Sequence, residues 1–241
     1  MNEAVPSGPV LLLRRLGRAL LGVVYPSLCL GCDGRLPPDT AAPPLCPDCL
    51  RALPPAEPDL LRPRLADLPG GPAAFGHADA LWLFDDGGTL QRIQHALKYG
   101  NRPTLGVRLG RLVGEAWRAR GAPTPDLVVP VPLHRRRRLE RGYNQSERLA
   151  AGISAVLGRP VRADGLTRPR PTHSQTSLSK TERWRNVEAA FAVPDAEAVA
   201  GRRVLLVDDV LTTGATAVAA ARVLRSAGAE VDLAVLACTR D

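Results

Sequence analysis

Apolar positions along the chain follow two patterns: unbroken runs, and longer stretches in which apolar residues return every three or four positions. The runs lie in HADALWLFD near residue 80, PDLVVPVPLH near 128, GRRVLLVDDV near 205 and EVDLAVLACT near 235. Between them, GTLQRIQHALKYGNR carries Leu90, Ile93 and Leu97 at helical spacing, and a second helix is predicted over 105–120. NQSERLAAGISAVLG reads as a helix ending at Gly158, and GATAVAAARVLRSAG as another. Strands that are apolar throughout, rather than at alternate positions, are buried on both faces. Separated by helices, they predict an α/β fold with an open, doubly wound parallel sheet, in which ligands bind beyond the carboxyl ends of the strands.

Ahead of this sheet, RALPPAEPDLLRPRLADLPGGPAA over 51–74 is dense in Pro and Gly and predicts a linker with a short helical turn. The organisation expected is therefore an N-terminal amphipathic helix within 1–25, a cysteine-rich module at 26–52, a Pro-rich linker at 53–74 and the larger domain at 75–241. A chain of 241 residues suits one sizeable domain with a small appendage. In PVLLLRRLGRALLGVVYP the apolar run is broken by Arg14, Arg15 and Arg18, which argues against a signal peptide. A membrane-spanning helix needs roughly 20 predominantly apolar residues, and no such run occurs. A cytoplasmic location is expected. Residues 10–24, read as a helix, have an apolar face opposite their arginines, suited to packing on the protein itself or to contact with an anionic membrane.

A formal charge of +8 and a pI near 9.9 favour contact with phosphates, nucleic acid or an acidic surface, without choosing among them. Among the 32 basic residues only Lys98 and Lys180 are lysines, which makes these two stand out.

Four of the five cysteines, Cys29, Cys32, Cys46 and Cys49, form a C-x2-C-x13-C-x2-C arrangement. Two such pairs predict knuckles whose thiolates share one tetrahedral zinc ion. Two disulfides or an iron-sulfur centre are the alternatives, the first disfavoured in a cytoplasmic chain and the second requiring redox work. Four thiolates leave no open position for water, so the zinc is expected to be structural, folding a segment too small for its own core. Cys238, alone in an apolar run, is expected in the core.

The stretch RRVLLVDDVLTTGATAVAAARVL poses the chemical question of the chain. Asp208 and Asp209 follow a buried run and are expected at the carboxyl end of their strand. Paired carboxylates accept hydrogen bonds from vicinal hydroxyls and can hold hydrated Mg2+. The small residues of LTTGAT offer backbone N–H groups to a phosphate, Thr212, Thr213 and Thr216 add hydroxyls, and the following helix presents its positive end. A diol site beside a phosphate loop describes a sugar 5-phosphate.

VLLVDDVLTTGAT resembles the 5-phosphoribosyl-1-pyrophosphate (PRPP) signature of type I phosphoribosyltransferases. The resemblance implies ribose contacts for Asp208 and Asp209, and a 5-phosphate loop at Thr212, Thr213, Gly214, Ala215 and Thr216. The cysteine module, ALKYGNRP at 96–103, VPVPLHRRRRLERGYNQSERLA at 129–150 and HSQTSLSKTERWRNVEAAF at 173–191 together resemble the ComF family. That resemblance implies a type I phosphoribosyltransferase-like domain behind a small zinc-ribbon-like module, and a link to natural transformation, in which incoming single-stranded DNA is moved into the cytoplasm. DNA-uptake proteins such as a helicase are then expected partners. Gln175 and Asn186 match ComF positions.

Lys98 and Tyr99, near a helix end, resemble the segment that receives pyrophosphate in related transferases, where Lys98 would serve catalysis with Asp208 and Asp209. After His134, the basic run Arg135, Arg136, Arg137, Arg138 and Arg141 can meet nucleic-acid phosphates, the pyrophosphate of PRPP or water, and Tyr143 offers a ring on which a base can stack. Lys180, Arg183, Trp184 and Arg185 interleave basic and aromatic groups, a pattern suited to single-stranded nucleic acid or to a lid over PRPP. Three functions stand: a PRPP-binding protein that handles DNA, an active transferase moving phosphoribose to an acceptor that no motif identifies, and a zinc-folded regulator that uses PRPP as a signal and catalyses nothing.

Overall fold

Four strands form one parallel sheet in the spatial order β1-β4-β3-β2: β1 Ala78–Phe84, β2 Leu127–Pro130, β3 Arg203–Leu211 and β4 Glu230–Thr239. The computed structural model describes residues 27–37, 43–58, 60–71, 73–169 and 190–239. The two central strands explain the unbroken apolar runs, because Val204–Val207 and Val231–Ala237 are at most 2% exposed. Register follows from the same residues, with Val129 beside Leu206 and Val207 beside Ala234.

The predicted helices form as α3 Thr89–Tyr99, α4 Pro103–Ala119, α6 Gln145–Leu157 and α7 Ala215–Ser226, with α1, α2 and α5 described below. Leu90, Ile93 and Leu97 are the buried residues of α3, and Gly158, at φ +66°, closes α6. Alternate sheet residues Leu127, Val129, Val204, Leu206, Leu233 and Val235 join the core under α7. By the pleat, intervening residues such as Val128 and Leu205 face the opposite side, where α6 packs on β2 and β3 and α4 packs on α6.

The α4–α6 approach is set by missing side chains. A Cβ at Gly110 would lie 2.1 Å from the Leu149 carbonyl oxygen, and one at Gly152 would lie 2.1 Å from that of Val107. Backbone against backbone, these helices fix where α6 begins, and that start borders the acidic pair.

The chain divides into two units, Met1–Ala52 and Leu53–Asp241. In the first, an isolated bridge pairs Leu28 with Arg35, and α1 Pro47–Arg51 follows Cys46. The second includes 53–74, expected to be a linker. This segment instead packs on the domain: Ala56, Leu61, Leu65 and Ala74 are at most 3% exposed, and the Ala56 N–H donates to the Leu81 carbonyl at 3.1 Å. Its helix α2, Leu61–Ala66, buries Leu61 and Leu65 in the α7 core. The prolines and glycines shape a covering layer because leucines at helical spacing lie between them. The arginine run forms a short helix of its own, α5 Arg135–Arg141.

No helix among the described residues is long and apolar enough to cross a membrane. The expected helix at 10–24 lies outside the described residues, as do Gln175, Lys180, Arg183, Trp184, Arg185 and Asn186. Cys238 is fully buried in β4.

Candidate functional site

Where β2 ends, the Val131 N–H still donates to the Val207 carbonyl of β3, at 2.8 Å. From there the chain runs through α5 to Asn144, whose side chain ties both ends of this excursion. Its Nδ2 donates to the Val131 carbonyl at 3.0 Å, and its Oδ1 accepts from the Ser146 N–H at 3.1 Å, capping α6. The next two side chains, Gln145 and Ser146, are 3% and 1% exposed, and both turn to the acids of β3. Ser146 Oγ donates to Asp208 Oδ1 at 3.0 Å, and Gln145 Nε2 lies 3.5 Å from Asp209 Oδ2.

Sequence reasoning expects the acids at the end of their strand. In the structure β3 runs two residues past them to Leu211, so Asp208 still pairs in register with Val235. Asp209 is buried at 6% exposure rather than open to solvent, and Asp208 is half-buried. Lys98 Nζ, at the end of α3, reaches Asp209 Oδ2 at 3.4 Å. The lysine singled out by its rarity thus meets the acidic pair. Burial, and then the charge of Asp209, push the Asp208 carboxyl up to about 7; the N–H of Asp209 and the Ser146 hydroxyl oppose that shift. A carboxyl held there is ready to exchange a proton for a cation or for a hydrogen-bond donor near neutral pH.

Beyond Leu211, Thr212 and Thr213 are exposed, and Thr213 Oγ1 accepts from the Ala215 N–H at 3.4 Å. Gly214 takes φ +79° at the N-cap of α7, and a Cβ there would meet Leu65 Cδ2 at 2.8 Å and Leu68 Cδ1 at 3.1 Å. Conformation and space both exclude a side chain. The segment expected to be a linker therefore forms the floor under this loop. Ala215 and Thr216 open the twelve-residue α7, whose first N–H groups have no partner within the helix and carry its positive end.

The basic run is split by its helix. All of Arg135, Arg136, Arg137 and Arg138 are exposed, but Arg136 pairs with Glu140 at 3.0 Å and Arg138 with Glu147 at 3.1 Å. His134 caps α5 through Nδ1, which accepts from the Arg136 N–H at 3.4 Å. Arg141 lies over the ring of Tyr99 at 5.9 Å, and that ring is 67% exposed. Tyr143, expected to offer its ring to a base, is buried, and its hydroxyl donates to the Leu97 carbonyl. Its position between α3 and α6 makes it a packing residue; the exposed ring beside the arginines is that of Tyr99.

Three residues of this site were not singled out from sequence: Gln145, Ser146 and Arg168. Arg168 follows the isolated bridge of Thr167 with Ala192, and its guanidinium lies 5.2 Å from the centroid of the Phe191 ring. Burial, and then Arg137, lower its pKa, while Asp208 acts in the opposite direction. Charge complementarity to the acids is the signal that could have found it.

In the first unit the Sγ atoms of Cys29, Cys32, Cys46 and Cys49 all lie within 4.8 Å of one another, with Cys32 and Cys46 at 3.9 Å. Sulfurs about 2.3 Å from one zinc in a tetrahedron sit roughly 3.8 Å apart, so this donor set fits the ion. All four cysteines are free thiols. The Gly31 and Cys46 N–H groups donate to Cys29 Sγ at 3.3 and 3.2 Å. Burial raises the Cys29 pKa, but backbone donors from Cys32, Cys46 and Gly31 outweigh it and leave the thiol at about 6. Hydrogen bonding from Cys46, then burial, push Cys49 up to about 12. Four clustered sulfurs cannot all ionise without a cation, and a zinc ion would be held by these four thiolates.

Residues 145–241 match the family model described as the phosphoribosyl transferase domain. The chain is 38% identical to the DNA utilization protein YhgH of Escherichia coli K12 over 144 residues, covering 58% of this chain and 63% of that protein. It is 34% identical to the competence protein F of Haemophilus influenzae over 142 residues, covering 58% of this chain and 62% of that one. The chain thus spans less than two thirds of these relatives' length. Among solved structures it resembles the adenine phosphoribosyltransferase of Leishmania tarentolae, with 16% identity, a TM-score of 0.39 and coverage of 66% of this chain and 91% of that one. The resemblance read from the motifs is borne out by curated homologues named for DNA utilization and competence, by the match of residues 145–241 to the phosphoribosyl transferase domain, and by the four-cysteine cluster of the first unit.

Proposed function

We propose that this chain binds PRPP with Mg2+ at the carboxyl edge of its sheet, and serves natural transformation by handling incoming single-stranded DNA on the cytoplasmic side. The observation that carries the PRPP reading is the meeting of Asp208, Asp209 and Lys98 beside the Thr212–Thr216 loop and the positive end of α7. Asp208 and Asp209 accept the ribose hydroxyls; Thr212, Thr213, Gly214, Ala215 and Thr216 enclose the 5-phosphate. Lys98 leaves Asp209 for the pyrophosphate, with Tyr99 alongside. Paired carboxylates suit a hard dication, and Mg2+ supplies neutralising charge for the diphosphate. Zinc at the four cysteines is structural.

The DNA reading draws on the names of the relatives, on the exposed Arg135 and Arg137, and on Arg141 over the exposed ring of Tyr99. Arg136 and Arg138 join them once their glutamates are outcompeted by phosphates, and Lys180, Arg183, Trp184 and Arg185, outside the described residues, are further basic and aromatic groups of the kind that single-stranded DNA takes. A helicase or another DNA-uptake protein is the expected partner. The second reading, an active transferase, is favoured by the intact acidic pair and by Lys98 within reach of it. Such chemistry acts by displacement at the anomeric carbon, and positioning and electrostatics are its main demands.

Calorimetric titration of the purified protein with PRPP and Mg2+, repeated with a short single-stranded DNA present, tests both. PRPP binding whose affinity shifts severalfold with DNA supports linked ligands. Binding indifferent to DNA turns the case toward the transferase and a screen of acceptors, and absence of PRPP binding refutes the site.

A further inference from the structure

We propose that Gln145 reads the sugar at this site: its amide nitrogen holds Asp209, and its buried carbonyl oxygen accepts a hydroxyl of the bound ribose. The inference rests on the PRPP reading above and adds a residue and a specificity to it. A carboxylate can only accept, so the end of Gln145 that lies 3.5 Å from Asp209 Oδ2 is the Nε2 donor, and Oε1 is turned away from the acid. Gln145 is 3% exposed, and its Oε1 is buried with no hydrogen-bond partner among the described residues.

An amide carbonyl stripped of water and left unpaired costs free energy, and such orphans call for an explanation. Capping does not provide one, because Asn144 caps α6 and Gln145 takes no part. A bound donor does. Asp208 Oδ1 already accepts from the Ser146 hydroxyl and the Asp209 N–H, and Asp209 Oδ2 already holds Lys98 and Gln145. Among the described residues each acid therefore has one oxygen engaged by the protein and one without a hydrogen bond, and Gln145 Oε1 adds a third acceptor next to them. Three neighbouring acceptors fit a polyol.

A water on a bound metal ion is the other source of an O–H donor. With ribose 5-phosphate, which brings no diphosphate to draw Lys98 away, the ammonium stays 3.4 Å from the Asp209 oxygen that Gln145 touches and opposes a second cation there, whereas a neutral hydroxyl meets no such opposition; titration in EDTA separates the two donors.

The test measures affinities of the full-length wild type and of Gln145→Met and Gln145→Ala for ribose 5-phosphate and for its 2-deoxy and 3-deoxy analogues, in EDTA and in Mg2+. Methionine nearly conserves volume, and thermal unfolding shows whether each variant is folded. The variants should lose about tenfold for ribose 5-phosphate, the loss expected from one hydrogen bond in a dry site, and nothing for inorganic pyrophosphate. One deoxy analogue should lose a similar factor against the wild type and almost none against the variants, because sugar and side chain are partners in the same bond. Equal deoxy losses in wild type and variants overturn the inference, as does coupling seen only with Mg2+. A wild type that binds neither ribose 5-phosphate nor PRPP fails at the earlier step: it removes the site reading itself, and the role of Gln145 with it.

Discussion

Replacing Ser146 with alanine should move the pH dependence of PRPP binding without abolishing binding. Ser146 Oγ donates to Asp208 Oδ1 at 3.0 Å, and this bond favours the ionised carboxylate, which burial and Asp209 together push up to about 7. A hydrogen bond to a charged group contributes about 1.5–3 kcal/mol, and 1.36 kcal/mol corresponds to one pKa unit, so at the lower end of that range losing it raises Asp208 by about one unit. Ribose hydroxyls donate, so binding needs the ionised acid. With midpoints near 7 and 8, the ionised fraction at pH 7 falls from about one half to about one eleventh, and the variant binds about fivefold more weakly. Near pH 9 both proteins are ionised and the difference should vanish. Calorimetric affinities for PRPP and Mg2+ at half-unit steps from pH 6 to 9 would show parallel curves displaced along the pH axis. A loss of equal size at every pH would mean that Ser146 only shapes the site, and no loss at pH 7 would mean that Asp208 is not a ligand-binding acid.

Asp208→Asn should weaken PRPP at least about tenfold yet raise the thermal midpoint at pH 8. The pKa of Asp208 is raised on folding, so its contribution to stability is fully present below about pH 4 and is lost as pH rises through about 7; near pH 4 the variant and the wild type should melt alike. Cys46→Ser should lower bound zinc below one ion per chain and increase amide exchange in residues 27–52; a full complement of zinc would refute the four-thiolate site. Gly110→Ala places a Cβ against the Leu149 carbonyl and should cost about 1–3 kcal/mol in denaturant unfolding, with an unchanged midpoint showing that α4 and α6 separate freely.

How legible each part was depended on whether a residue has one duty or two. All four strands and the helices that cover them were readable because burial on both faces leaves unbroken apolar runs such as Val204–Val207, and Lys98 was readable because lysine is rare in this chain. The layer at 53–74 was obscured by its own prolines, which mark turns whether the segment is free or, as here, pinned by Leu61 and Leu65. Tyr143 was misread because an aromatic residue among arginines has the same letters whether its ring faces a base or the core. The hardest case is Asn144-Gln145-Ser146, whose composition is that of an ordinary helix start. Polar residues there satisfy the capping rule, and the rule conceals any further role. Only the structure shows that the cap uses Asn144 alone, which leaves Gln145 and Ser146 buried with no capping duty to perform. Polar side chains buried beside two acids are stable when they hydrogen-bond to those acids, so two of the three residues that start α6, Gln145 and Ser146, also hold the carboxylates of Asp209 and Asp208 in place.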